Sequence, residues 1–258
     1  MPIAAAKKVA GAKKGEKQHP HQNSNLCTHP KSGQVSNTKI EDLLHQRKLF
    51  LVLDLDHTLL HAAELKTLSP KEKYLTRKVQ DPEFKDMLFE WGSLLIKLRP
   101  FVHAFLKEAN NLFQMCIYTM SDGVYAKAMA KLLDPRGVYF GSRVFSRENC
   151  IRDDEKNFDV VGAKENCVLI LDDTQTVWRK QKENLMVIEK YMFFAPNCPK
   201  MRNNYKSLSE TKSDEGEADG ALAVALQDLK QIHSLFFDPE HEDNFAERDV
   251  RKFKEMVS

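Results

Sequence analysis

Two aspartates, Asp54 and Asp56, follow the apolar run Leu49–Leu53. Continuous Leu, Phe and Val residues are typical of a strand that is buried on both faces of a parallel sheet. Side chains alternate along extended backbone, so the two carboxylates start on a common side. Ligands of open α/β sheets bind beyond the carboxyl ends of the strands. The pair therefore lies where one site can use both groups, although Asp-x-Asp alone is more often a turn or a helix cap.

Two further apolar runs also end in polar side chains. One run ends at Thr119 and the other at the pair Asp172 and Asp173. Between them, Lys156 precedes a short apolar pattern of helical type, from which it can reach the same edge of the sheet. Magnesium-assisted phosphoryl transfer requires oxygen ligands for a hard cation, a nucleophile, and positive charge over the phosphate oxygens. The ordered set of carboxylates, hydroxyl and ammonium group fits that chemistry.

With these motifs the chain resembles the phosphatases of the RNA polymerase II carboxy-terminal domain, especially the plant C-terminal domain phosphatase-like proteins, within the haloacid dehalogenase superfamily. The resemblance covers residues 45–258 and includes segments outside the candidate site. It rests on Asp54–Leu60, Lys97–Val102, Ile117–Met120, Met129–Pro135, Tyr139–Gly141, Ser146-Arg147, Leu169–Thr174 with Trp178, and Tyr205–Glu210. It implies an α/β, haloacid-dehalogenase-like (Rossmann-like) fold, in which helices flank a parallel sheet and a small insertion follows the first strand.

The resemblance also implies a role for each residue of the candidate site. Asp54 would be the nucleophile that becomes an aspartyl phosphate. Asp56 would protonate the leaving seryl oxygen and then, as a carboxylate, draw a proton from the attacking water. Thr58 would form hydrogen bonds around the loop and orient Asp56. Thr119 and Lys156 would bind the phosphoryl oxygens.

A Mg²⁺ cofactor follows from the same resemblance. Its ligands would be Asp54, the backbone carbonyl of Asp56, and Asp173 with support from Asp172. The cation would cancel the repulsion between an anionic nucleophile and an anionic phosphate. 

Four residues near these motifs receive less specific interpretations. Arg99 is assigned to phosphate binding or active-site support, with an ion pair that braces the next turn as its structural alternative. Tyr125 and Trp178 are expected to pack in the core or at its rim. Ser121 stands where relatives commonly have Gly, which is expected to alter the phosphate loop without removing Thr119.

Composition bounds the class of protein. The chain has 258 residues, of which 42% are hydrophobic and 29% charged, so it can bury one core of ordinary size. Its net charge of +2 gives no overall basic field, and we expect no specific nucleic-acid binding. Five scattered cysteines are typical of a reducing compartment. Because no apolar run approaches the ~20 residues of a membrane span, we expect an intracellular protein without membrane contact.

The chain divides into three predicted parts. Residues 1–38 form a disordered basic tail, residues 45–240 form a catalytic domain of the FCP1-homology type, and residues 241–258 form a charged C-terminal segment; no BRCT module is expected. The insertion, residues 62–90, is too small for a large cap domain, and Ser69-Pro70 predicts the start of a short helix. A site without a lid accepts an extended polypeptide, which favours a protein substrate over a small metabolite.

The resulting hypothesis is a Mg²⁺-dependent protein serine/threonine phosphatase, nuclear, that acts on the phosphorylated C-terminal domain of RNA polymerase II. Three alternatives stay open: a small-molecule phosphatase of the same superfamily, a non-catalytic scaffold with this fold, and a nucleic-acid-binding protein that uses the lysine-rich tail. The sequence predicts no oligomeric state.

Overall fold

A computed structural model describes residues 37–150, 152, 154–197, 206–239 and 244–257. All of them lie within one unit that spans residues 32–258. This part of the chain contains the strands β1 Leu49–Leu53, β2 Leu60–Glu64, β3 Leu88–Trp91, β4 Leu94–Leu98, β5 Phe113–Tyr118, β6 Val144–Phe145, β7 Val168–Asp172 and β8 Leu185–Val187. It also contains the helices α1 Asn37–His45, α2 Leu75–Lys78, α3 Val102–Leu112, α4 Gly123–Leu133, α5 Leu208–Thr211, α6 Ala221–Phe236 and α7 Val250–Val257, together with short 3₁₀ turns.

The main sheet has five strands in the order β6-β5-β1-β7-β8, and every pair is parallel. All five residues of β1 are buried, as the continuous apolar run predicts for a central strand with both faces covered. Because β1 is central, the residues that follow it lie at the middle of the carboxyl edge. The predicted parallel α/β sheet with flanking helices is confirmed.

A second, antiparallel sheet has the order β2-β4-β3, and the insertion contributes the end of β2 and the start of β3 to it. The helix predicted at Ser69-Pro70 begins later than expected, since residues 70–74 form turns and α2 begins at Leu75. Glu72 explains the delay: its carboxylate is completely buried and accepts hydrogen bonds from the backbone N–H groups of Ser69 and Ala195 and from the hydroxyl of Ser209. These hydrogen bonds keep the side chain of Glu72 in the interior and stabilise turns at residues 70–74 in place of a helix.

The predicted helices around the main sheet are confirmed. Asp122 caps α4 by accepting hydrogen bonds from the N–H groups of Val124 and Tyr125, which fixes the start of that helix beside β5. The apolar stripe of α6 is buried, as expected for a core-facing helix. No helix among the described residues is long and apolar enough to cross a membrane.

The core extends beyond the predicted catalytic range of 45–240 at both ends. Ile40 and Leu44 of α1 and Val250 of α7 belong to the main core. Arg248 is 3% exposed and donates hydrogen bonds to the carbonyls of Phe236 and Asp238. The charged C-terminal segment thus contains a packed helix. The last two residues of the predicted basic tail, 37 and 38, begin α1; residues 1–36 lie outside the described residues.

Candidate active site

The carboxyl ends of β1, β5 and β7 meet at one cavity of about 480 Å³. The parallel ladder continues one residue beyond β1, because the N–H of Asp54 donates to the carbonyl of Leu171. Six of the eight predicted site residues line this cavity: Asp54, Asp56, Thr119, Lys156, Asp172 and Asp173. The strand ends therefore bring together side chains that are as much as 119 positions apart in the sequence, as positions 54 and 173 show.

The loop after β1 reverses direction at His57, which has φ of 67°. This left-handed conformation is uncommon for a residue with a side chain. It is held by three contacts: the N–H of His57 donates to the carbonyl of Leu60, its carbonyl accepts from the N–H of Tyr191, and its Nδ1 lies 3.0 Å from the carbonyl of Tyr191. The turn lets Asp54, Asp56 and Thr58 surround one space.

Lys156 is the only positive group buried inside the cluster, among the described residues. Its Nζ lies 2.7 Å from Asp54 Oδ1 and 2.6 Å from Asp172 Oδ2, and the residue is 1% exposed. The ammonium also lies over the rings of Tyr118 and Trp178, at 5.7 and 5.5 Å from their centroids. Its backbone is fixed by a hydrogen bond from its N–H to the carbonyl of Val177. Lys156 therefore reaches the edge of the sheet, as the sequence predicts.

Burial and neighbouring charge act in opposite directions on this pair. Burial raises the pKa of Asp54 from 3.8 to about 8, and the ammonium of Lys156 opposes the rise, while Asp172 and Asp56 add to it. Burial also acts to lower the pKa of Lys156, but Asp54 and Asp172 outweigh it and raise the pKa above 10.5. The two carboxylates thus favour the ammonium form of Lys156, whereas burial disfavours the ionised form of Asp54.

Asp172 and Asp173 are held differently. Asp172 already accepts hydrogen bonds at both oxygens, from the N–H of Thr174 at Oδ1 and from Lys156 and the indole Nε1 of Trp178 at Oδ2. Asp173 accepts from the hydroxyl of Thr174 at 2.9 Å and pairs with Lys190 at 3.0 Å. Trp178, which the sequence placed in the core or at its rim, is completely buried and also orients a carboxylate of the site.

The prediction that Thr58 orients Asp56 is wrong. Its hydroxyl lies 3.3 Å from Asp54 Oδ2 and 3.3 Å from Asp173 Oδ1, and it accepts a hydrogen bond from the N–H of Asp173. It therefore links Asp54 to Asp173 and does not contact Asp56, which it was expected to orient. The reason is the turn after Asp54, in which the N–H of Thr58 donates to the carbonyl of Leu55 and turns the threonine toward β7.

Asp56 is instead held by two residues that the sequence left outside the site. The hydroxyl of Tyr125 donates to Asp56 Oδ1 at 2.6 Å, and the hydroxyl of Ser121 donates to Asp56 Oδ2 at 2.8 Å. Ser121 comes just after Thr119, and Tyr125 lies on the first turn of α4. Because both follow the carboxyl end of β5, their positions in the sequence could have indicated that they belong to the site. Thr119 is buried at that end, and its Oγ1 accepts the N–H of Ser121.

Arg99 does not line the cavity. It is completely buried, forms a paired contact with Glu215 at 2.7 and 2.8 Å, and donates to the carbonyls of Thr58 and Glu189. The guanidinium of Arg99 therefore forms an ion pair, which was the structural alternative. Its hydrogen bond to the carbonyl of Thr58 also stabilises the loop after β1. Phosphate binding by Arg99 is not supported by these contacts.

The donor set fits a magnesium ion. Asp54, Asp172 and Asp173 each offer an oxygen within 4.8 Å of the others, and carboxylate oxygens are the ligands that Mg²⁺ prefers. The cluster holds four carboxylates, counting Asp56, against the ammonium groups of Lys156 and Lys190. A divalent cation would add positive charge to this acidic cluster. Asp172 is the most enclosed of the three carboxylates, because it is 1% exposed and accepts hydrogen bonds from Thr174, Lys156 and Trp178.

Comparison with solved structures places the fold. The structure of Fcp1, described as an essential RNA polymerase II CTD phosphatase, matches with a TM-score of 0.65 at 22% identity, over 83% of this chain and 72% of that one. A fission yeast Fcp1 variant bound to beryllium fluoride matches with a TM-score of 0.51 at 22% identity, over 85% and 64%. The chain therefore has the parallel α/β fold of the Fcp1 structure.

The sequence also places the chain in a family. A model of NLI interacting factor-like phosphatases matches residues 49–215, and the chain belongs to this family. It is 46% identical to RNA polymerase II C-terminal domain phosphatase-like 4 of Arabidopsis thaliana, over 96% of this chain and 63% of that protein. Phosphatase-like 3 of the same plant is 34% identical, over 84% of this chain and 19% of that protein. The chain thus spans less than two thirds of the length of either relative.

Proposed function

We propose that this protein is a Mg²⁺-dependent protein serine/threonine phosphatase that works through a phosphorylated Asp54. Its substrate would be the phosphorylated C-terminal domain of RNA polymerase II, which makes it a nuclear protein that regulates transcription. The observation that carries the proposal is the arrangement of Asp54, fixed by Lys156, with Asp56 two residues away on the same rim of the cavity.

The first chemical step follows from the positions of these groups. Asp54 attacks phosphorus through a carboxylate oxygen, the P–O bond to the seryl oxygen breaks, and Asp56 gives its proton to that oxygen. Lys156 and Thr119 line the same cavity and supply a cation and a hydroxyl for the phosphoryl oxygens. The buried ammonium is already aligned, so little reorganisation is needed as charge moves.

The second step regenerates the carboxylate of Asp54. Asp56, now ionised, takes a proton from water as the water oxygen attacks phosphorus and the bond to Asp54 breaks. Asp54, Asp173 and the carbonyl of Asp56 would hold Mg²⁺, with Asp172 in support. When bound, the cation supplies positive charge that offsets the repulsion between nucleophile and phosphate.

The substrate class rests on two supports. The insertion adds a small antiparallel sheet beside the site rather than a large cap, which suits an extended phosphorylated polypeptide better than a small metabolite. The relatives are named for phosphatase activity on the RNA polymerase II C-terminal domain. A scaffold without catalysis would not require Lys156 to be buried between two carboxylates.

The test is hydrolysis of a phosphoserine heptad-repeat peptide and of glucose 6-phosphate, with and without Mg²⁺. We expect Mg²⁺-dependent turnover of the peptide and at least about a thousandfold loss of kcat in Asp54→Asn. Asp154→Asn is the matched control, because Asp154 pairs with Arg179 on the surface and its loss should leave kcat unchanged. Normal turnover by Asp54→Asn would refute the mechanism, and preference for the sugar phosphate would refute the substrate.

A further inference from the structure

Asp56 differs from the other carboxylates of the site in what holds it. Asp54 and Asp172 share Lys156, and Asp173 pairs with Lys190. Within the described part of the chain, no lysine or arginine forms an ion pair with Asp56. Its two oxygens instead accept one hydroxyl each, from Tyr125 at 2.6 Å and from Ser121 at 2.8 Å.

Ser121 lies in the connection from β5 to α4 and Tyr125 in the first turn of α4, and hydrogen bonds hold both segments in place. The N–H of Ser121 donates to Thr119 Oγ1 at the end of β5, and its carbonyl accepts from the N–H of Arg147. Four residues later, Tyr125 lies on the first turn of α4, and its own N–H is capped by Asp122. Ser121 lies just before the N-cap of α4 and Tyr125 in its first turn, and this connection brings the two hydroxyls to the same carboxylate.

Tyr125 is anchored on its other side as well. The residue is 6% exposed, and its ring meets that of Trp91 edge to face, with centroids 5.8 Å apart. Trp91 ends β3, so the antiparallel sheet supports the ring while α4 supports its backbone. These contacts aim the phenol hydroxyl at Asp56 Oδ1.

We propose that Ser121 and Tyr125 are positioning residues that hold the carboxyl group of Asp56 in the orientation from which it transfers a proton to the leaving oxygen. This inference rests on the proposed function. A cation in their place would favour only the ionised carboxyl group. Hydroxyl groups that donate to both oxygens of the carboxylate can keep a bond to the carbonyl oxygen of the protonated carboxyl group, which leaves its own proton for the leaving oxygen. The same geometry therefore serves the acid of the first step and the base of the second.

The chemistry of the leaving group separates positioning from general support of the fold. An alkoxide leaving from phosphoserine needs a proton as the P–O bond breaks, whereas 2,4-dinitrophenolate is stable without one. The value of kcat/KM reports steps up to the first irreversible one, here the transfer to Asp54. A misplaced Asp56 should therefore slow the phosphoserine peptide and spare the dinitrophenyl ester.

The experiment compares kcat/KM for both esters at saturating Mg²⁺ in the parent, Ser121→Ala, Tyr125→Phe and Ser121→Thr. Each loss of a hydroxyl removes one bond to a charged group, and we expect kcat/KM to fall about 10- to 100-fold for the peptide and less than about threefold for the dinitrophenyl ester. Ser121→Thr keeps the hydroxyl and should restore the peptide rate to within about threefold of the parent.

Ser142→Ala and Tyr139→Phe, which lie on the 134–144 connection away from Asp56, are the matched controls and should change neither rate. Equal losses for both esters, or no loss for either, would overturn the positioning role while leaving the phosphatase assignment intact. If Tyr125→Phe lowers the melting temperature, the more exposed Ser121 variants still decide the question. A parent protein that hydrolyses neither ester would overturn the proposed function and this inference with it.

Discussion

At the scale of single residues, the site depends on one buried ammonium group. Lys156 lies 2.7 Å from Asp54 and 2.6 Å from Asp172. All three groups have lost most of their hydration, so each relies on the others to compensate for it. Removing the ammonium would leave two buried carboxylates without a compensating charge. This loss should destabilise the folded state more than replacing the whole ion pair by apolar residues would.

We therefore expect Lys156→Met to lower the free energy of unfolding by about 3 to 5 kcal/mol. Urea unfolding followed by circular dichroism measures this change. Lys180→Met is the matched control: Lys180 is 75% exposed and lies 3.5 Å from Glu155, and its loss should cost less than about 1 kcal/mol. Equal stability of Lys156→Met and the parent protein would contradict the interpretation.

The sequence identified six of the residues that line the cavity, because the ends of buried strands share one sheet edge. It missed the roles of Ser121, Tyr125 and Trp178 for a physical reason. Their hydroxyl or indole groups act on carboxylates through side-chain direction, and no local periodicity encodes the direction of a side chain at a helix start. For the same reason Thr58 was assigned to Asp56 although it bonds Asp54 and Asp173.

At the scale of elements, the acidic loop Ser213–Asp219 pairs with two buried cations. One is Lys97 in β4, and the other is Arg99 just after that strand. Lys97 is 4% exposed and its Nζ lies 2.6 Å from Asp214, while Arg99 is held by Glu215. Burial lowers the pKa of Lys97, and Asp214 opposes this change. No role for this loop was predicted from the sequence. Its pairing depends on contacts more than a hundred residues apart, which composition cannot reveal.

Glu215→Gln tests the role of this loop. The substitution removes the charge that compensates Arg99 but keeps the side-chain shape, and we expect it to lower the free energy of unfolding by about 3 kcal/mol. The loss of order should reach the catalytic loop, because Arg99 also bonds the carbonyl of Thr58. Hydrogen exchange of residues 54–60 should therefore accelerate.

Glu217→Gln provides the comparison for that variant. It makes the same change of charge in the same loop, but Glu217 is exposed, so stability should stay within about 0.5 kcal/mol of the parent. A similar effect from both substitutions would mean that net charge, and not the pairing with Arg99, determines the stability of the region.

At the scale of the whole molecule, the core uses both ends of the described chain. α1 adds Ile40 and Leu44, and α7 adds Val250, which is fully buried. The fold class and the order of the main elements were predictable because the apolar runs are long and continuous. The outer boundaries were not, since α7 has only eight residues, half of them charged, and so short a segment is easily taken for a charged tail.

Val250→Ala measures how far the core extends. The variant removes two buried carbon atoms, and we expect a loss of about 2 kcal/mol in the free energy of unfolding, with unchanged phosphatase kinetics at temperatures where the protein is folded. Met256→Ala is the matched control on the same helix, because Met256 is 70% exposed. An unaffected Val250→Ala protein would indicate that α7 contributes nothing to the core.

The central place of β1 has a consequence for synthesis. The strand that carries the nucleophile pairs with β5 on one side and with β7 on the other, and both neighbours are translated after it. A growing chain on the ribosome therefore holds an unpaired, apolar strand edge until residue 172 has emerged, and such edges promote aggregation. A prematurely terminated product that ends before Lys156 would carry the nucleophile without its cation.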